Sequence, residues 1–337
     1  MKRIENERKL QRKSKRGRRG ELSREELLLI SDDNTEIEYT FEELLEIFIE
    51  DCELRNLREH TIKYYRSELN AFIKLLKEQE IELRVSEWTG ETIKRNIIMY
   101  MKEKGLKTVS INSRLRALRA FFNFLEGRNL IKSNPMKDIK LLKDRKRIVE
   151  TFDNQQIKAL FKACDLRTFV GLRDYTIMML LLETGVRVNE LVGIKTTDII
   201  WEQKVIRIRN TKGGFERFVP IQDKMINQLK KYIAVRGSVD TDYLFITRDD
   251  TPLSKKQVQD RIKEYGKKAG IKNVRCSPHT FRHTFAKLCV LNGANAFQLQ
   301  AILGHTSLEM TKVYVNLFSN EVQQGHAKFS PINSLFK

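Results

Sequence analysis

Apolar positions recur every three to four residues along most of this chain, the spacing that gathers them on one face of a helix. The pattern opens at Thr40-Phe-Glu-Glu43, where a hydroxyl and a carboxylate three residues apart can satisfy a helix's first N–H groups. It predicts a helix from there to about Cys52, then helices over about 60–79, 90–104 and 108–126. In the last of these, Ile111, Leu115, Leu118, Phe122 and Leu125 form one inward stripe. Arg114, Arg116 and Arg119 lie off that stripe, which predicts a basic outer face suited to DNA. Asn134-Pro135 interrupts the period, and the Lys/Arg-rich stretch up to Arg147 reads as a linker.

The helical period resumes at Asp153-Asn-Gln-Gln156, a second capping pattern, and runs to about Cys164. A longer apolar helix over about 168–183 stops at Gly185, the residue expected at a left-handed helix end. Two short β-type runs follow, Val205–Arg209 and Phe215–Pro220, joined through Thr211-Lys212-Gly213-Gly214, whose glycines suit a hairpin turn. Helices are expected again over about 223–235, 254–269, 279–291 and 296–303. The fold class is therefore mainly α with a small β-hairpin, in two domains, since 337 residues exceed one ordinary core. No repeat period is visible.

Charge narrows the partner. The net charge is +19 with a pI near 9.7, which points to a polyanion, because Lys and Arg neutralising phosphates dominate sequence-independent DNA affinity. The charge is unevenly spread. Residues 1–20 hold ten Lys/Arg against two Glu, and residues 31–60 hold eleven acidic residues against Arg55 and Arg58. Residues 61–147 carry 21 basic and 10 acidic side chains. The longest apolar run, Ile177 to Leu182, is far below the roughly 20 residues of a membrane span. Cys52, Cys164, Cys276 and Cys289 form no CxxC pair, so free thiols in a cytoplasmic protein are expected.

Candidate chemistry gathers late in the chain. His279 and Arg282 are three residues apart and share a helix face, with His283 four residues after His279. Thr280 stands where a zinc protease motif needs Glu, and no phosphate-binding Gly-x-x-x-x-Gly-Lys-[Ser/Thr] loop occurs. Neither metal nor nucleotide cofactor is expected.

From about 150 to 320 the sequence resembles the catalytic domain of the tyrosine recombinases, the phage and transposon integrase family. Thr184-Gly-Val-Arg187-Val-Asn-Glu190-Leu matches the family's arginine region, and Lys212 its hairpin lysine, with Glu216-Arg217-Phe-Val-Pro220 following. Ser277-Pro-His279-Thr-Phe-Arg282-His283 matches its His-x-x-Arg motif. Leu303-Gly-His305 and Met310-Thr-Lys-Val-Tyr314 match the late histidine and the nucleophile. Residues 40–130 are similar to the family's helical core-binding domain in length, pattern and position.

The resemblance implies that Tyr314 attacks a DNA phosphodiester and forms a 3′-phosphotyrosyl link, without metal or ATP. It implies that Arg187 and Arg282 clamp the phosphate, Lys212 protonates the leaving 5′-oxygen, His279 shuttles the nucleophile's proton and His305 hydrogen-bonds the phosphate. Glu190 is expected to orient Arg187, and His283 to support the site by packing. The implied plan is a basic tail and acidic connector (1–37), a helical SAM-like core-binding domain (38–132), a linker (133–149), a catalytic domain (150–320) and a C-terminal tail (321–337) that docks on a neighbour. The two domains would clamp double-stranded DNA, as a homotetramer on synapsed sites, with accessory DNA-bending or directionality proteins as further candidate partners. A site-specific recombinase of a mobile element, an integrase or transposase, is the leading expectation. A Xer-like chromosome-dimer resolvase comes next, ahead of a type IB topoisomerase or a non-catalytic DNA-binding regulator.

Overall fold

The computed structural model describes residues 39–81, 88–143, 149–209, 216–304, 307, 311 and 314. The basic tail, Lys212 with its turn, His305 and the segment 321–337 lie outside the described residues. The chain divides into two compact units, Met1–Lys146 and Arg147–Lys337.

The first unit is helical throughout its described part. Helix α1 (Phe41–Leu54) starts at the expected capping box, with the Thr40 hydroxyl accepting from the Glu43 N–H and the Glu43 carboxylate accepting from the Thr40 N–H. Helix α2 (Glu59–Lys77) follows. The helix expected over 90–104 is α3 (Gly90–Thr92), a π-helical stretch Ile93–Met99 and α4 (Tyr100–Glu103). A wider turn re-aims side chains without ending a helix, a departure that apolar spacing alone does not reveal. Helix α5 (Thr108–Gly127) buries the predicted stripe together with Phe121. Phe41 packs on Phe72 and Phe121 with ring centroids 5.3 and 4.7 Å away, and Trp88 closes the cluster on Phe41 and Phe72. These spacings lie in the range where aromatic pairs add to plain area burial.

Two expectations change here. Met136 and Ile139, assigned to the linker, are buried in this core. The Asn112 amide holds the Leu142 N–H and C=O at 2.8 and 2.9 Å, so the chain stays packed through Leu142. Of the three arginines expected on an outer face, only Arg116 is exposed. Arg114 bridges to Glu68 at 3.3 Å and Arg119 donates to the Ile139 carbonyl. The flanks of α5 are covered by α2 and the 134–142 segment, and helix periodicity cannot say how wide that cover is.

The second unit is built around α7 (Phe169–Thr184), which follows α6 (Asn154–Lys162). Helices α9 (Asp223–Arg236) and α11 (Pro278–Leu291) pack against α7. Short α8 (Val188–Val192) leads to an antiparallel sheet of β1 (Ile199–Ile200), β2 (Val205–Ile208) and β3 (Arg217–Pro220). Its register pairs Ile206 with Val219 and Ile208 with Arg217. Strand β1, too short to show alternation, was not legible beforehand. Helices α10 (Lys255–Lys268) and α12 (Ala296–Leu303) complete the unit. The buried Asp174 carboxylate pins α10 to α7, accepting from Arg173, Arg261 and Tyr265 at 2.6–3.1 Å.

Phe121 is fully buried and touches Phe41, Phe48 and Phe122. Phe121→Ala should therefore destabilise the first unit by about 3–5 kcal/mol, read as a lower urea midpoint. A loss under about 1 kcal/mol would mean that this ring is not central to the core.

Candidate active site

Gly185 ends α7 with φ +60°, a left-handed conformation that turns the chain at once into α8. An added Cβ here would sit 2.4 Å from Phe285, so the turn needs glycine for both backbone and space. The turn makes Arg187 the N-cap residue of α8 and puts Glu190 inside its first turn.

Glu190 is 2 % exposed. It accepts the Arg187 N–H at 2.9 Å, Arg187 Nη1 at 3.1 Å, and a fork from Arg217 on β3 at 3.0 and 2.7 Å. Burial pushes its carboxyl up, but the Arg217 and Arg187 contacts more than offset this and hold it below the usual range. The same arginines reach the end of α12. Arg217 Nε donates to the Ile302 carbonyl at 3.1 Å, Arg282 Nη2 to Leu303 at 2.8 Å, and Arg187 to Leu303 and Gly304 at 3.4 Å. Helix C-termini leave carbonyls without intrahelical donors and carry partial negative charge. That end of α12 therefore gathers three cations that would otherwise repel one another. Arg282 also donates to the Gly185 carbonyl at 2.6 Å. Its pKa is pushed down to about 10, by burial first and then by Arg187, and it remains a cation at neutral pH.

Helix α11 is started by Ser277, whose hydroxyl accepts the Thr280 N–H, with Pro278 at the first helical position. It carries His279, Arg282 and His283. His279 is exposed to the cleft, and its pKa is lowered by partial desolvation and then by Arg282, Arg275 and Arg187. His279 and His283 meet edge to face with centroids 4.2 Å apart. His283, expected to act by packing, instead bonds the nucleophile candidate directly, with Nδ1 2.7 Å from the Tyr314 hydroxyl. The spacing of sequence positions could not separate these two imidazoles. Which of them meets Tyr314 depends on how the chain returns after α12.

Tyr314 is 5 % exposed and packs with Phe285, Leu299 and Leu303. Burial raises its pKa, while Arg282 and Arg187 pull it down less strongly. The net effect favours the protonated phenol. A cleft of about 830 Å³ opens beside these groups, lined by Arg187, Arg275, His279, Arg282 and His283 among others. Cations and imidazoles around an open cleft suit an anionic substrate whose charge grows during reaction. Among the described residues no three metal-ligating side chains converge. The sequence motif assigns Arg217 no role. A buried acid so close to Arg187 signals a second cation, but only the fold reveals that it comes from β3.

His283 offers a pH test. Its pKa falls from 6.5 to about 4, through burial, then His279 and Arg282. The fold favours the neutral ring, so the stability it supports is complete above pH 6.5 and is lost as pH falls toward 4. Urea midpoints should drop across that window and drop less for His283→Gln. Parallel curves for the two proteins would reject the assignment.

Comparison with known proteins places this geometry. Residues 150–321 match the phage integrase family, and residues 45–129 match its N-terminal SAM-like domain. Tyrosine recombinase XerD of Shewanella oneidensis is 29 % identical over 87 % of this chain and 98 % of its own length. Tyrosine recombinase XerC of Haemophilus influenzae is 31 % identical over 78 % of this chain and 88 % of its own. Among solved structures, a lambda integrase dimer bound to a COC′ core site superposes with a TM-score of 0.70 at 19 % identity, covering 88 % of this chain and 81 % of that one. That likeness supports the fold class expected from sequence, mainly helical with a small sheet. With a catalytic-domain match spanning more than half its length and relatives of this closeness, the chain belongs to the phage integrase family of tyrosine recombinases.

Proposed function

We propose that this chain is a Xer-type site-specific recombinase that cuts and rejoins double-stranded DNA through a 3′-phosphotyrosyl link to Tyr314. The observation that carries the reading is the grouping of Arg187 and Arg282 on the end of α12, beside the His283–Tyr314 bond at 2.7 Å. In this reading the two guanidinium groups take the non-bridging oxygens of the scissile phosphate, where negative charge accumulates in an in-line displacement. The Tyr314 oxygen bonds to phosphorus as its proton passes to the imidazoles. The 5′-oxygen leaves with a proton from Lys212, and His305 steadies the phosphate. The new phosphodiester keeps the energy of the old one, so rejoining needs no nucleotide.

Anionic DNA as substrate agrees with the net charge of +19. The Xer relatives named above cover most of this chain, which favours a resolvase acting between two like sites, as a tetramer assembled on them. The alternative is an integrase of a mobile element, and one feature favours it. Residues 1–20, with ten Lys/Arg against two Glu, add a basic segment whose charge suits further DNA contacts.

The test starts from a pool of nicked duplexes of randomised sequence, from which covalent protein–DNA adducts are isolated and sequenced. The parent protein should enrich one site and Tyr314→Phe should yield no adduct; an adduct with the phenylalanine variant would falsify the nucleophile assignment. Arg282→Ala should slow adduct formation about 100- to 1000-fold, the usual cost of removing one donor to a transition-state oxyanion. A plasmid bearing two direct copies of the enriched site then separates the readings. Efficient resolution by this protein supports the resolvase, whereas an unresolved plasmid, together with joining of the enriched site to a dissimilar site on a second DNA, supports the integrase.

A further inference from the structure

We propose that Arg217 is a positioning residue for strand cleavage, holding Glu190 so that this carboxylate does not close on Arg187. The inference rests on the recombinase reading above. Arg217 is buried to 12 % side-chain exposure, and all three of its guanidinium nitrogens donate inside the protein. Two of them fork onto Glu190 and the third holds the Ile302 carbonyl. The guanidinium also lies against the backbone of Gly304, where an added Cβ would meet it at 3.0 Å. One side chain therefore joins β3, the start of α8 and the end of α12.

The consequence concerns charge. Glu190 is a full negative charge with 2 % exposure, and it has two arginines within hydrogen-bond reach. The shorter, two-pronged contact goes to Arg217, and the Arg187 side chain meets Glu190 through Nη1 alone, at 3.1 Å. Without Arg217 both carboxylate oxygens would have Arg187 as their nearest cation. A bidentate Arg–carboxylate pair is the preferred geometry for these two groups. Arg187 would then turn its fork inward and present a neutralised pair to the phosphate. Arg217 thus works without touching DNA, by keeping one acid shared between two cations.

The test is a double-mutant cycle on the nicked duplex enriched by the parent protein. Arg217→Met should slow covalent adduct formation about 100-fold, the scale of losing one oxyanion donor. Its Kd for the intact duplex should stay within about 3-fold, since the residue contributes no phosphate contact. Removing the acid as well, in R217M/E190Q, should restore about 10-fold of the lost rate, the non-additivity expected when one mutation acts through the other residue. R217K should fall between parent and R217M. If R217M melts below the assay temperature, the R217K and R217K/E190Q pair is read the same way. A rate for R217M within about 3-fold of the parent, or a double variant no faster than R217M, overturns the role of Arg217 while leaving the recombinase reading intact. A parent protein that yields no adduct with any duplex overturns both.

Discussion

A single buried carboxylate and the open end of one helix organise the catalytic unit. Glu190 and the carbonyls of Ile302, Leu303 and Gly304 are the acceptors on which Arg187, Arg217 and Arg282 converge. Three guanidinium groups so close would repel strongly in a partly dry environment. One formal negative charge and a helix C-terminal dipole compensate part of that repulsion and leave the cluster net positive. Because the compensation is incomplete, the cleft is prepared for an anion. Because the acceptors are mostly backbone, the cations cannot relax away from their places.

Tyr314, the proposed nucleophile, lives under opposing influences. Burial keeps the Tyr314 phenol protonated, and the two arginines favour its anion. In this structure burial prevails, and the hydroxyl rests on the neutral imidazole of His283. A phosphate in the cleft would neutralise the same arginines that assist ionisation, so charge must shift to the transition state, where the attacking oxygen and the phosphoryl group share it. This is the setting in which fixed dipoles and cations accelerate a displacement, since they need not reorganise as the charge moves.

The helical unit solves a different problem. In its described part, order comes from aromatic packing around Phe41, Phe72, Trp88 and Phe121 and from amide bonds such as Asn112 to Leu142. The Asn112 contacts retain the exit of the chain, so the segment expected as a free linker is partly core. Of the arginines on α5, Arg114 and Arg119 serve the fold and Arg116 reaches solvent. A basic composition is therefore a poor guide to which individual cation meets a partner.

Helix positions were legible in the sequence wherever an apolar stripe and a capping residue coincide, as at Thr40, Asp153 and Gly185, because those signals are local. The candidate site residues from Arg187 to Tyr314 were also named from the sequence, since the family motif is a pattern along the chain. What tertiary structure decided was pairing across distance. That Arg217 on β3 shares Glu190 with Arg187, that three arginines seat on α12, and that His283 rather than His279 meets Tyr314 all depend on how separate segments pack. Sequence encodes which residue types can bond, through charge, size and helical spacing. Only the packed chain brings donors and acceptors tens of residues apart to within 3 Å, and there the low dielectric makes each such choice matter.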